Sequence, residues 1–414
     1  MLDINKIRDN IDDIKANLAK RADVSKFDFA AIVALDDKRK SIIGEVDTLK
    51  AEQNKIAKGG KPSAEQIEAG KKLRDQVKQL DEKLATVKMS LAEKLGELPN
   101  ITADDVVAGG KENNKIIGSF GEQPKFDFTP QDHVALATKH SLIDYERAAK
   151  MSGAGFWAYT GKGAELEWAL LNYFINFHRQ NNYKFLLLPY LLTAKSAYTS
   201  GHLPKFREDL FWTEDKLCLN ATAEMMLGNF HRDEILANKD LPLKYYAYST
   251  CFRREAGAYR TEERGMIRGH QFNKIEMFQL TTPDDSWQAF NELVNHAEEL
   301  VRGLGLHFNT VQLAAGDCSA AMAKTIDIEV YIPSMKGYKE VSSISNALDY
   351  QARRGNIRYK NKTTGKNEFV HTLNASGLAT SRLLPAILEQ NQQADGSIVV
   401  PDVLLPYCNF DIIK

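Results

Sequence analysis

Apolar side chains in the first hundred residues recur at alternating steps of three and four. Leu35, Ile42, Val46, Leu49 and Ile56 form one run, with Arg39 and Gln53 taking seam positions. Leu73, Val77, Leu80, Leu84, Val87, Leu91, Leu95 and Leu98 form a second. A heptad repeat sustained this long is the signature of a coiled coil. At the break, KGGKPS, Gly59, Gly60 and Pro62 can end one helix and reverse the chain. The pattern predicts an antiparallel helical hairpin over residues 1–100, turning near 58–63 and bounded by Leu98-Pro99-Asn100. Over 101–414 the period changes. FLLLP from Phe185, KYYAYST from Lys244, IDIEVY from Ile326 and FVHTL from Phe369 read as strands, and 164–180, 286–304 and 380–392 as helices. Strands spaced unevenly among helices predict an α+β domain with a largely antiparallel sheet flanked by helices.

One hairpin in this region is dense in charge: CFRREAGAYRTEERGMIRGHQFNKIEMFQL, from Cys251 to Leu280. Residues two apart in a strand share a face. Cys251, Arg253 and Glu255 therefore point one way, and Phe252 and Arg254 the other. On the return strand His270, Phe272, Lys274, Glu276 and Phe278 share a face. If the two faces coincide, one surface carries an arginine, an aromatic ring and two carboxylates. That is a floor for a ligand with an anion, a flat base and an amine. The alternative is an exposed hairpin with cross-strand ion pairs.

Composition narrows the class only a little. The 414 residues are 43% hydrophobic and 26% charged, as in globular proteins generally, with a formal net charge of −1. Any nucleic-acid surface must then be a local patch. Lys50, Lys55, Lys58, Lys61, Lys71, Lys72 and Arg74 make one around the helical turn, outnumbering Glu52, Glu65 and Glu68. A basic stalk can track a phosphate backbone; a plain dimerisation or spacer element has the same heptads. Cys218, Cys251, Cys318 and Cys408 form no CxxC pair, which speaks against a disulfide framework or a zinc site. The N-terminus MLDINKIRDN is too polar for a signal peptide, and the apolar run near FLLLPYLL is too short to span a bilayer. A cytoplasmic protein without a membrane partner is expected.

Five segments resolve the hairpin's meaning: TAE at 222–224, FRRE at 252–255, HQFNKIE at 270–276, KEVSSISN at 339–346 and HTLNASGLATSR at 371–382. In this order, behind a coiled-coil arm, the set closely resembles seryl-tRNA synthetase, a class II aminoacyl-tRNA synthetase, over essentially the whole chain. The resemblance implies a tRNA-binding arm at 1–100 and a class II catalytic domain at 101–414. It implies activation of L-serine with ATP to seryl-adenylate, then transfer of the seryl group to tRNA(Ser) and also tRNA(Sec). Such chemistry needs positioning and charge neutralisation more than a side-chain nucleophile.

Carried over by position, the resemblance gives Arg253 the bridge between the serine carboxylate and the α-phosphate, with Arg382 the second catalytic arginine. Thr222, Ala223, Glu224, Glu276, Asn374 and Ser376 would join Arg253 around serine. ATP would meet Arg253, Arg254, Glu255, Phe272, Glu340, Val341, Ser342, Ser343 and Arg382, with Phe272 and Arg382 on either face of adenine. Mg²⁺ would be held through the triphosphate by Glu340 and Ser343. Arg264 is a further triphosphate or acceptor-stem candidate. Pro189, matching a proline found at the family's subunit interface, implies a homodimer. The basic arm residues would hold tRNA.

The chain departs from the family at Ala375 and Ser381, where glycine is common and an added Cβ would tighten the nucleotide pocket. It departs again at Ile344, in the less glycine-rich GDCSAAMAK of 316–324, and at Pro385, which must sit in the first turn of its helix or kink it. Two other readings remain: a silent paralogue that binds tRNA through the arm, and an aminoacyl ligase that loads a carrier protein.

Overall fold

The computed structural model describes residues 1–58, 63–256 and 265–414, and the chain divides into two compact units, Met1–Ile101 and Thr102–Lys414. In the first, short helices α1 (Ile4–Asp9) and α2 (Ile11–Leu18) precede the long α3 (Phe29–Lys58) and α4 (Ala64–Glu97). Ser63 caps α4 through a capping box with Gln66, two of the helix's orphan N–H groups thereby finding partners. The seam between α3 and α4 is Ile42, Val46, Val77, Leu84 and Val87, with Leu35, Leu49 and Leu80 packed against it. Toward the end of α3 and the start of α4 the seam thins: Ile56 and Leu73 are half-buried. Residues 59–62, where the sequence predicts the turn, and the side chain of Lys58 lie outside the described residues.

Arg39 does not simply fill a seam position. Its guanidinium turns to Asp36, at 2.9 Å from Nε and 2.6 Å from the terminal nitrogen. The Asp36 carboxylate is fully buried and also meets Arg8 at 3.2 Å and Lys40 at 2.9 Å. A carboxylate in that position without cations around it would be strongly destabilising. The heptad pattern contained neither this cluster nor α1 and α2, whose Ile7 and Leu18 are buried.

The second unit is built on an eight-stranded sheet of β1 (Lys115–Phe120), β2 (Lys184–Leu186), β3 (Leu243–Phe252), β4 (Gln271–Thr281), β5 (Phe308–Gln312), β6 (Lys324–Ile332), β7 (Gly337–Asn346) and β8 (His371–Ala379), in the order β1-β5-β6-β7-β8-β4-β3-β2. Every neighbouring pair is antiparallel except β2 with β3. Period-two alternation gives the sheet two unlike faces. Ile275 and Met277 of β4, Ile328 and Val330 of β6, Ile344 of β7 and Leu373 and Ala375 of β8 face one core. Leu166, Leu170 and Phe174 of α5 (Lys162–Gln180), Phe290 and Leu293 of α6 (Ser286–Gly303), and Leu383, Leu384 and Ile387 of α7 (Thr380–Gln390) cover it. The residues between them in sequence, Lys274, Glu276, Asp327, Ser343, Ser345, Asn374 and Ser376, are polar and line cavities on the opposite face. Further along that face Phe278 and Leu280 meet Met225 and Leu227 in a second core. The polar floor is thus framed by packed structure, which holds its side chains in place.

Candidate active site

The β3–β4 register settles the hairpin question. Cys251 pairs with Phe272, Ser249 with Lys274 and Ala247 with Glu276, and directly paired residues lie on one side of a sheet. Arg253 stands just past the end of β3. Its backbone N–H donates to the His270 carbonyl at 2.9 Å, and its Nε donates to the Ala221 carbonyl at 3.2 Å. Its guanidinium carbon lies 5.1 Å from the Phe272 ring centroid.

Above this floor opens a cavity of about 160 Å³ lined by Thr222, Glu224, Arg253, Lys274, Glu276, Asn374 and Ser376, among others. A second cavity is lined by Glu255, Arg268, Phe272, Ser381 and Arg382. The two share Arg253, Lys274, Glu340 and Ser376. An acidic, hydrogen-bonding pocket and an aromatic, cationic one therefore meet along a border of three charged side chains and one serine.

Bonding within the first cavity is dense. Thr222 Oγ1 donates to Glu276 Oε2 at 2.9 Å, and the Lys274 ammonium pairs with the same carboxylate. Glu224 Oε1 accepts from Gln351 Nε2 at 2.6 Å and from Asn374 Nδ2 at 3.1 Å. Burial, reinforced by the nearby Glu276 charge, pushes the Glu224 carboxyl up to about 7.

In the second cavity Glu255 accepts from Arg268 at 2.7 Å, and Arg382 donates to the Glu340 carbonyl at 2.8 Å with the Glu340 carboxylate 3.4 Å away. Glu340 and Ser343 are three residues apart, yet face the same way. A bulge causes this: Asp327 pairs with Ser343 and Ile328 with Ser342, but Glu329 pairs with Glu340, so β7 holds one extra residue. Glu340 and Ser343 also border an acidic cavity of about 410 Å³ with Asp317, Asp327 and Glu329. Burial first, then Glu340, raises the Asp327 carboxyl well above its usual range, and its Oδ1 is buried without a hydrogen-bond partner among the described residues. The divalent cation that the resemblance implies would suit these oxygens. Among the described residues no three His, Cys, Asp or Glu side chains converge on one metal point.

Four expected site side chains lie elsewhere. Ala223 is fully buried in the second core. Val341 is buried in the main core, and Ser342 donates to the Ser376 carbonyl at 2.6 Å, both turned away by the bulge. Arg254 is exposed and bonds to the backbone of Asp209 and Glu208, since alternation no longer applies where β3 has ended. Nor does the Ala375 Cβ tighten the nucleotide pocket, because it faces the helices. Ser381 does line the second cavity. Pro385 sits inside α7 beyond its first turn, where it brings no N–H to the Ser381 carbonyl four residues back. Arg264 and Lys61 lie outside the described residues. Lys50, Lys55, Lys71, Lys72 and Arg74 are all exposed. Sequence reasoning missed Arg268, His202, Ser319, Ser345, Asp327 and Met322. Lys274 it placed on the right face without a role.

Residues 208–391 match the model of the tRNA synthetase class II core domain (G, H, P, S and T), and residues 1–102 match the seryl-tRNA synthetase N-terminal domain. Core and site together define a class II aminoacyl-tRNA synthetase. Serine–tRNA ligase 2 of Clostridium acetobutylicum is 52% identical, over 99% of this chain and all of that one. Serine–tRNA ligase of Staphylococcus saprophyticus is 43% identical over 98% and 97% of the two chains. The crystal structure of seryl-tRNA synthetase from Pyrococcus horikoshii complexed with ATP superposes with a TM-score of 0.89, at 33% identity over 100% of this chain and 99% of that one. The chain belongs to the seryl-tRNA synthetase family. Among the described residues, no helix is long and apolar enough to cross a membrane.

Proposed function

We propose that the chain is a serine–tRNA ligase. The observation that carries this is the shared border of Arg253, Lys274, Glu340 and Ser376 between the two cavities. Serine's carboxylate oxygen attacks the α-phosphorus of ATP, the bond to the β-phosphate breaks, and pyrophosphate leaves. The terminal ribose hydroxyl of tRNA then attacks the seryl carbonyl, and AMP departs. Arg253 presents a planar fork of donors that can span carboxylate and phosphate. Glu224, Glu276 and Thr222 suit serine's ammonium and hydroxyl. Phe272 offers a face for the base, with Arg382 opposite. Glu340 and Ser343 would hold Mg²⁺, which when bound neutralises triphosphate charge. The silent-paralogue reading has no use for so complete a set of charged residues, and a carrier-protein ligase has none for the arm.

Exchange of pyrophosphate into ATP, surveyed over all twenty amino acids, tests the first step. Serine is the expected best substrate, and a preference for glycine or alanine would overturn the assignment. Glu224 adds a pH signature. Its carboxyl must be ionised to pair with the ammonium, so the serine KM should fall as pH rises through about 7. Glu224→Gln should flatten that dependence and raise the KM about tenfold or more, as expected for losing a charged hydrogen bond. A KM profile identical to wild type would remove Glu224 from the pocket.

A homodimer completes the proposal. Trp168, Leu187 and Leu191 are exposed at 55%, 73% and 48%, and the latter two flank Pro189. Sedimentation as a single chain would count against it.

A further inference from the structure

A pocket that hydrogen-bonds serine's hydroxyl disfavours alanine and glycine, because its polar groups would lose their partner. Threonine keeps the hydroxyl. Only volume can exclude it, so the residue that limits volume beside the hydroxyl-binding groups decides the matter.

Met322 has that position. It is 4% exposed and lines the 160 Å³ cavity but none of the three cavities adjoining it. Phe206, the other large apolar side chain in this wall, borders the third and fourth cavities as well. The Met322 sulfur is 3.8 Å from Asn374 Nδ2, the group that also donates to Glu224 Oε1 at 3.1 Å. The thioether therefore stands directly beside the polar groups assigned to serine.

The segment carrying Met322 has little room to retreat. The Met322 N–H donates to the Ser319 carbonyl at 2.9 Å, and the Ala323 N–H to the Asn346 carbonyl, at the end of β7, at 2.8 Å. Behind it, the Ala321 Cβ packs so closely on Gly201 that a Cβ built there would lie 2.7 Å away. The loops on both sides of the pocket are thus already in contact. A methionine can bend, but this one is enclosed on nearly every side.

We propose that Met322 is a specificity-determining residue, its thioether occupying the space that the γ-methyl of threonine requires. The proposal rests on the serine–tRNA ligase reading. It also gives meaning to the divergent GDCSAAMAK segment, which supplies bulk to the amino-acid pocket.

The test compares serine- and threonine-dependent pyrophosphate exchange by the full-length chain and its Met322→Ala and Met322→Leu variants. Met322→Ala should lower the serine-to-threonine ratio of kcat/KM by about tenfold or more, the range one methyl can supply in a fitted pocket. Met322→Leu, close in volume, should keep the wild-type ratio. An unchanged ratio in Met322→Ala with serine exchange retained would overturn the proposal. An equal fall in the leucine variant would also do so, since the effect would then not follow volume. If thermal unfolding shows that Met322→Ala does not fold, Met322→Val decides by the same ratio. Wild-type chain that exchanges threonine as well as serine removes the premise of exclusion. Wild-type chain inactive with serine defeats the underlying serine reading, an outcome separable from the others.

Discussion

Arg253→Ala should reduce serine-dependent pyrophosphate exchange by about two to three orders of magnitude, the usual cost of removing a preorganised donor from developing charge. The fold should survive. Arg253 is held by its backbone, which exchanges hydrogen bonds with His270, and among the described residues its side chain makes one bond, from Nε to Ala221. Its terminal guanidinium nitrogens have no hydrogen-bond partner among the described residues, and the side chain borders three cavities. Those nitrogens are available to a carboxylate and a phosphate together. Truncation therefore removes little from the folded state and much from the transition state. Arg253→Lys should recover only part of the loss, because an ammonium keeps the charge but not the two-pronged geometry. Exchange rates paired with thermal unfolding curves check both statements. Near-normal exchange by the alanine variant would end the assignment of Arg253 to the α-phosphate.

Where alternation is unbroken, the site could be read from the sequence. Phe272, Lys274 and Glu276 fall on one face because β4 is a regular strand, and Cys251 joins them through the register of the hairpin. The same rule, applied to β8, already separates Asn374 and Ser376 from Ala375; a comparison of residue types alone put Ala375 beside the nucleotide, on the wrong face. Two irregularities were beyond reach. The β7 bulge exists only in relation to β6, so nothing local to KEVSSISN says that Glu340 and Ser343 face together while Val341 and Ser342 turn inward. Past Phe252 the chain leaves the ladder, and Glu255 adopts a left-handed φ of 50°, so period two no longer says where Arg254 points. His202, Ser319 and Met322 sit on loops, and loops reach the cavity only through the tertiary fold. In the arm, the heptads gave α3 and α4 but not the Asp36 cluster, because an ion pair between α1 and α3 leaves no periodic trace.

Removing Asp47–Gln76 and rejoining the helices through a short glycine-serine turn should leave serine-dependent exchange intact while lowering tRNA charging by several orders of magnitude. The cut points follow the packing. Ile42 and Val46 on α3 and Val77, Leu84 and Val87 on α4 remain, so the buried seam and the Asp36 cluster survive. The excised part holds Lys50, Lys55, Lys71, Lys72 and Arg74, all exposed, together with Lys58 and Lys61. Its apolar content is thin: Leu49, Ile56 and Leu73 are half-buried, and Ile67 is 49% exposed. A stalk so poor in core and so rich in exposed cations suits a polyanion better than a folded partner. Each phosphate contact on a duplex contributes about 0.9 to the slope of log affinity against log salt, so a mechanism that uses five of them predicts a loss of about four to five in that slope. The salt series separates this from a merely structural effect, which would weaken charging equally at every ionic strength. Replacing the five exposed cations with alanine in the intact arm should reproduce the flattened slope with both helices preserved. If exchange and charging fell together in the shortened chain, or if its salt slope matched wild type, the arm would be a structural support and tRNA would have to be held by the catalytic unit.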